Sequence, residues 1–180
     1  MALRGAASRR YAESIFAIAR DNNSYDKWLE DVATIRGLFV NADMRRFLDD
    51  PKPTPEAKEQ TLHKLLDGRV DPMAANLAIL LVRHEHVGMA DALERELQRM
   101  VNDARNVAVA EITTAVELTP QDSDLVKQRL ETLAAKTIQL ETRVDKDILG
   151  GFVARVGDTL IDASLKTRLA NLRQELLAHT

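Results

Sequence analysis

The 180-residue sequence contains no cysteine. That removes disulfides, thiolate zinc sites and cysteine nucleophiles together, and it suits a reducing compartment. A long apolar run is also missing. The longest, Leu77 to Val82, falls far short of the about 20 residues that a membrane span needs. No apolar signal core follows the Arg- and Ala-rich start, Met1 to Arg10. Charge of one sign is not in excess either: 25 Lys+Arg against 28 Asp+Glu gives a net charge of −3. Neither half of the chain is basic, so the counterion release that drives nucleic-acid binding has no source. Attachment to anionic lipid by charge alone is disfavoured for the same reason. These absences predict a soluble intracellular protein with no nucleic-acid partner and no direct membrane insertion. Glycine is scarce at 7 residues, yet Gly150, Gly151 and Gly157 fall in one short stretch, Ile148 to Asp162.

What is present is patterned apolar residue, 45% of the chain, enough for a packed core. Up to about Arg105 the spacing is helical. Trp28, Val32, Ile35 and Phe39 fall on one face, as do Met89, Leu93, Leu97 and Met100. Pro51, Pro53 and Pro55 interrupt the chain, and Thr54 and Asp71, each followed by proline, read as helix N-caps. Five or six helices joined by short connections predict a helical bundle. From Val107 the period becomes two, with Ala108, Ala110, Ile112, Thr114, Val116 and Leu118 on one face of a strand. A capping box, Thr119-Pro120-Gln121-Asp122, opens a helix expected to turn Leu125, Val126, Leu130 and Leu133 inward. Ile138, Leu140, Thr142 and Val144 predict a half-buried strand, and a last helix starts near Ser164 with Leu165, Leu169, Leu172 and Leu176 on one stripe. The expected architecture is an all-α bundle of about six helices over residues 1–105. A small α/β (α+β) domain with a β-hairpin and a C-terminal helix follows over 106–180, without a flexible linker.

The clustered glycines pose a chemical question. A Walker-type phosphate loop needs a lysine after its last glycine and then a helix, whereas Gly157 is followed by Asp158 and more strand pattern. The dinucleotide fingerprint is absent as well. Gly157-Asp158 between Phe152–Val156 and Thr159–Ile161 instead reads as a two-residue type II′ hairpin turn, with Gly150-Gly151 a bend before it. His84-Glu85-His86 lacks the His-Glu-x-x-His spacing, and two imidazoles at i, i+2 on a helix point about 200° apart. Asp49-Asp50 and Asp145-x-Asp147 read as turn acids, and Ser164 as a helix cap. No catalytic constellation, metal site or cofactor site is expected.

Two helices carry more apolar surface than a surface helix needs. Tyr11, Ala12, Ile15, Phe16, Ile18 and Ala19 cover a broad arc of the first, whose small residues suit either the core or the floor of a groove for another helix. Leu77 to Val82 nearly encircle another, which reads first as a central core helix.

The run from Asp147 to Leu172 contains Gly150-Gly151, Gly157-Asp158, Ile161-Asp162-Ala163-Ser164 and Arg168-Leu169. With Arg9-Arg10-Tyr11-Ala12 near the start, it resembles the δ subunit family of F-type ATP synthases, whose mitochondrial counterpart is the oligomycin-sensitivity-conferring protein. The likeness spans essentially the whole chain. Thr167 stands where the family often has glycine, and Arg10 where it often has proline. The resemblance implies a non-catalytic stator component, present as a single copy in a hetero-oligomeric complex and serving rotation-driven, proton-coupled ATP synthesis. It implies a peripheral location on the cytoplasmic side of the bacterial inner membrane. The N-terminal domain is implied to bind an N-terminal helix of the α subunit through Tyr11, Ala12, Ser14, Ile15 and Ile18 on its first helix and Leu77, Leu80 and Leu81 on its fifth. The C-terminal domain is implied to hold the C-terminal ends of the b subunits. Gly150, Gly151, Gly157, Asp158, Asp162, Ser164, Arg168 and Leu169 form the family signature. The rival readings are a helical adaptor of another complex and, more remotely, a small nucleotide-binding enzyme.

Overall fold

Apolar residues at helical spacing, bounded by capping residues, determine the first half of the computed structural model, which describes residues 2–145, 148, 150–157, 159–162, 164, 165, 167 and 169. Helix α1 spans Ala2–Asp21, α2 Tyr25–Val40, α3 Ala42–Asp49, α4 Pro55–Leu66, α5 Pro72–Arg83 and α6 Ala90–Ala104, with a 3₁₀ turn at Val87–Met89 before the last of these. The caps follow the local chemistry. Asn41 Oδ1 accepts from the Asp43 and Met44 amides, Thr54 Oγ1 from Ala57 at 3.3 Å and Asp71 Oδ1 from Met73 at 3.0 Å. Each satisfies a donor that the helix start leaves orphaned, and proline at the first position of α4 and α5 has no N–H to orphan.

The first compact unit is Met1–Val101. Its core brings Ala12, Ile15 and Ala19 of α1 together with Trp28, Val32, Ile35 and Phe39 of α2, Leu62 and Leu66 of α4, Leu81 of α5, and Leu93, Leu97 and Val101 of α6. Asp31 is buried among these helices, and its Oδ2 accepts from the Asp71 amide at 3.1 Å. A carboxylate taken out of water thus gains a backbone donor and ties α2 to the start of α5.

The second unit is Asn102–Thr180. Strand β1 (Val107–Thr114) lies centrally in a four-stranded sheet of order β2-β1-β3-β4, with β2 at Thr137–Val144, β3 at Phe152–Val156 and β4 at Thr159–Asp162. β1 and β2 are parallel in the register Val107↔Thr137 to Thr114↔Val144. A parallel pair needs a long crossover, and α7 (Pro120–Ala134) supplies it. β1 and β3 are antiparallel with Ile112↔Ala154, and β3 and β4 close a hairpin at Val156↔Thr159. Ala110, Ile112, Ile138 and Ala154 form the buried face beneath Leu130 of α7.

Two expectations for this unit are corrected. Leu125 and Leu133 do not point inward but are 65% and 68% exposed; the face of α7 toward the sheet is Val126, Leu130 and Ala134. The first strand ends at Thr114 and does not run to Leu118, because the Thr114 hydroxyl donates to the Val116 carbonyl at 2.7 Å and turns the chain. Val116 is left 70% exposed.

Candidate partner-binding site

The α5 sequence separates its buried and outward residues cleanly. Ala74, Ala75, Leu77, Ala78, Ile79 and Leu81 are buried, which accounts for most of the Leu77 to Val82 run as core. Met73, Asn76, Leu80 and Arg83 are exposed, and their spacing of three, four and three residues makes one outward stripe. Leu80, 42% exposed, is the apolar centre of that stripe. Arg83 closes it. Its Nη2 donates to Glu59 Oε2 at 2.9 Å, a second bond joins Arg83 Nε to Glu59 Oε1, and α5 is thereby clamped to α4. The guanidinium holds the Glu59 carboxyl below the usual carboxylate range, and the Arg83 group is raised in turn by the same pair.

On α1, Ala12 and Ile15 are buried, Tyr11 and Ile18 are half-buried and Ser14 is exposed. The Ser14 hydroxyl donates to the Arg10 carbonyl at 2.9 Å, within its own helix. The Tyr11 ring meets the His86 ring edge-on, with centroids 6.0 Å apart and planes at 75°. Of the eight residues tied by resemblance to a partner helix, Ala12, Ile15 and Leu81 therefore face the bundle interior, and Leu77 is 9% exposed. Tyr11, Ser14, Ile18 and Leu80 are the ones with surface to offer.

His84 and His86 are not placed as a helical pair. α5 ends at Arg83, Glu85 takes a left-handed φ of 56°, and the two rings lie 6.0 Å apart at 31° rather than on opposite sides. No group of three His, Asp or Glu suited to a metal occurs among the described residues. A cleft of about 740 Å³ lies beside this turn, lined by Phe39, Pro51, Lys58, Glu59, His86 and Met89 among others. Its charged groups are engaged structurally: Lys58 Nζ donates to the Leu48 carbonyl at 2.6 Å, and Glu59 holds Arg83.

The glycine-rich signature is backbone geometry. Gly157 has φ of 57°, in a two-residue connection fixed by the Val156↔Thr159 pair. Glycine reaches that region without the strain a side chain would meet. Gly151 has φ of 79° at the bend before β3, and the Gly150 carbonyl accepts from the Leu165 amide at 2.9 Å. Asp162 then anchors the turn that follows β4. Its Oδ1 accepts from the Ser164 amide at 2.9 Å and its Oδ2 from the Thr167 hydroxyl at 2.7 Å, while Ser164 Oγ accepts from the Thr167 amide at 3.3 Å. The bond from the Ser164 amide leads in holding the Asp162 carboxyl below its ordinary value, followed by the Thr167 hydroxyl. Thr167, where the resembled family often has glycine, thus joins the cap. Leu169 is exposed, whereas Asp158 and Arg168, with Leu172 and Leu176, lie outside the described residues.

No pattern in the sequence distinguishes the outward face of α7. Leu125 and Leu133 lie eight residues apart, about 80° on the helix, with Arg129 between them. The same spacing fits an inward stripe, and only the packing of Leu130 decides.

Comparison with known proteins gives one consistent result. Residues 7–176 match the profile of the ATP synthase delta (OSCP) subunit family. ATP synthase subunit delta of Dehalococcoides mccartyi is 35% identical over 171 residues, covering 95% of this chain and 94% of the relative. The protein of the same name from Synechococcus elongatus is 32% identical over 170 residues, covering 93% and 94%. Among solved structures, a chain of the Toxoplasma gondii mitochondrial ATP synthase hexamer shares the fold with a TM-score of 0.65 at 22% identity, covering 94% of this chain and 97% of that one.

Proposed function

The chain belongs to the ATP synthase delta (OSCP) subunit family, and from that premise we propose which of its surfaces meet which neighbours. As a family member it is a non-catalytic stator component of the rotary ATP synthase. Its work is to hold, because torque on the catalytic head must be resisted by something anchored. The N-terminal unit binds an amphipathic N-terminal helix of the α subunit on the outward faces of α1 and α5. The single observation that carries this reading is the α5 stripe: Leu80 stands 42% exposed on a helix whose other faces are core. Tyr11, Ser14 and Ile18 supply the α1 side, while Ala12, Ile15, Leu77 and Leu81 shape the site from beneath. The C-terminal unit binds the C-terminal ends of the b subunits, and the outward Leu125 and Leu133 of α7 give it apolar surface that its own core leaves unused. The protein is then held peripherally at the membrane, on the cytoplasmic side, through the complex.

The test is direct titration of the full chain with a synthetic peptide of the α-subunit N-terminal helix. Leu80→Ala weakens binding by about 2 kcal/mol, as for a hot spot, with the thermal midpoint almost unmoved. Full binding by both Leu80→Ala and Tyr11→Ala would refute the assignment.

A further inference from the structure

Oxidisable sulfur is rare on this surface. The chain has no cysteine and five methionines. Met44 and Met89 are 9% and 3% exposed, Met100 packs partly buried against the helical core, and Met1 lies outside the described residues. Met73 differs, at 49% exposure. It occupies the second position of α5, where its amide donates to Asp71 Oδ1 at 3.0 Å, so a change confined to the side chain leaves the helix cap in place. Leu80 follows seven residues later, within about 20° on the same face. The accessible thioether therefore sits at the N-terminal end of the stripe whose centre is Leu80.

We infer that Met73 is an oxidation-sensitive contact at the edge of the α-subunit docking surface, and that its conversion to the sulfoxide in the unassembled chain weakens docking. The inference rests on the docking reading given above. The step is a two-electron oxygen transfer from a peroxide. The O–O bond breaks, the sulfur lone pair forms the S–O bond, the thioether is oxidised, and hydrogen peroxide leaves as water. A reductase that uses thiols as the electron source reverses it. The product replaces a flexible apolar end with a strongly accepting oxygen, which loses its water when a partner helix covers it.

The experiment treats the full chain with hydrogen peroxide, maps the oxidised positions by mass spectrometry, and titrates an α-subunit N-terminal peptide whose methionines are replaced by norleucine. Met73 is expected to gain oxygen before Met44, Met89 and Met100, and the Kd to rise roughly tenfold. Methionine sulfoxide reductase is expected to restore the original Kd. Met73→Leu, compared with its own untreated value, is expected to show no loss on peroxide treatment. An unchanged Kd with Met73 fully oxidised, or an equal peroxide effect in Met73→Leu, overturns the inference alone. Failure of the untreated chain to bind the peptide, or binding undiminished by Leu80→Arg, overturns the docking reading and the inference with it.

Discussion

Asp162 bonds both the backbone and a side chain of the turn that follows it: the Ser164 amide at one oxygen and the Thr167 hydroxyl at the other. Ser164 is 5% exposed and caps the Thr167 amide with its own hydroxyl. Ser164→Ala removes that acceptor and is expected to cost about 1 kcal/mol, the usual loss for an N-cap, read as a shift in the urea midpoint of the C-terminal unit. Because the folded Asp162 carboxyl titrates below its ordinary value, its contribution is present above about pH 3.9. It is lost as pH falls through the depressed native value. The protection of the Leu165 and Thr167 amides against hydrogen exchange, taken relative to the intrinsic rate at each pH, should therefore fall on acidification below about pH 4 in the wild type. Asp162→Asn should lack that acid step, and an identical acid step in the variant would show that another group controls the turn.

At the scale of elements, α5 divides its duties between adjacent residues. Leu81 is fully buried and Leu80 is 42% exposed, so Leu81→Ala is expected to cost about 3 kcal/mol of stability and Leu80→Ala less than about 0.5 kcal/mol, as measured by denaturant unfolding. The start of the helix adds a pH dependence. The Met73 amide, and after it the Lys27 ammonium at 3.0 Å, hold the Asp71 carboxyl below its ordinary range, and Asp71 raises Lys27. The Asp71 contribution is present above about pH 3.9 and lost as pH falls through the native value; that of Lys27 is present below about pH 10.4 and lost as pH rises through its raised value. Asp71→Asn, which retains a capping oxygen, should flatten the acid limb of the midpoint below about pH 4. The thermal midpoint of the N-terminal unit measures this. The same elements show what sequence makes legible. Helix starts at Thr54, Asp71 and Thr119 are readable because capping is local, set by residues two or three apart. The Gly157 turn is readable because positive φ selects glycine. The end of β1 is not, because alternation continues through Val116 while the Thr114 hydroxyl turns the backbone. Nor is the outward face of α7, since which leucines are buried depends on a sheet assembled from strands on both sides of it in sequence. The histidine pair departs from expectation because helical geometry does not extend past Arg83, where α5 ends. For the residues that the resemblance assigns to a partner, periodicity identifies the helices but does not tell a side chain turned into the bundle, such as Ile15, from one turned out.

For the whole molecule, the two docking surfaces proposed above would act in series. A link that bears torque is intact only while both joints are closed, so coupled synthesis follows the product of the two joint occupancies. The binding free energies themselves are expected to be independent, since Leu80 and Leu133 belong to different compact units and share no core. Leu80→Arg should weaken binding of the α-subunit peptide and spare that of a peptide from the C-terminal end of the b subunits, and Leu133→Arg should do the reverse. Neither substitution buries a charge within the chain, so each should keep its unfolding midpoint within about 0.5 kcal/mol of wild type. In reconstituted vesicles, a single variant that leaves its joint mostly open should already abolish proton-driven ATP synthesis, and combining the two should lower it little further. ATP hydrolysis by the isolated catalytic head should persist throughout, because the chain supplies no catalytic group. A double variant whose peptide affinities depart from those of the single variants would show that the joints communicate through the chain. Undiminished synthesis with either joint open would mean that the torque is carried elsewhere.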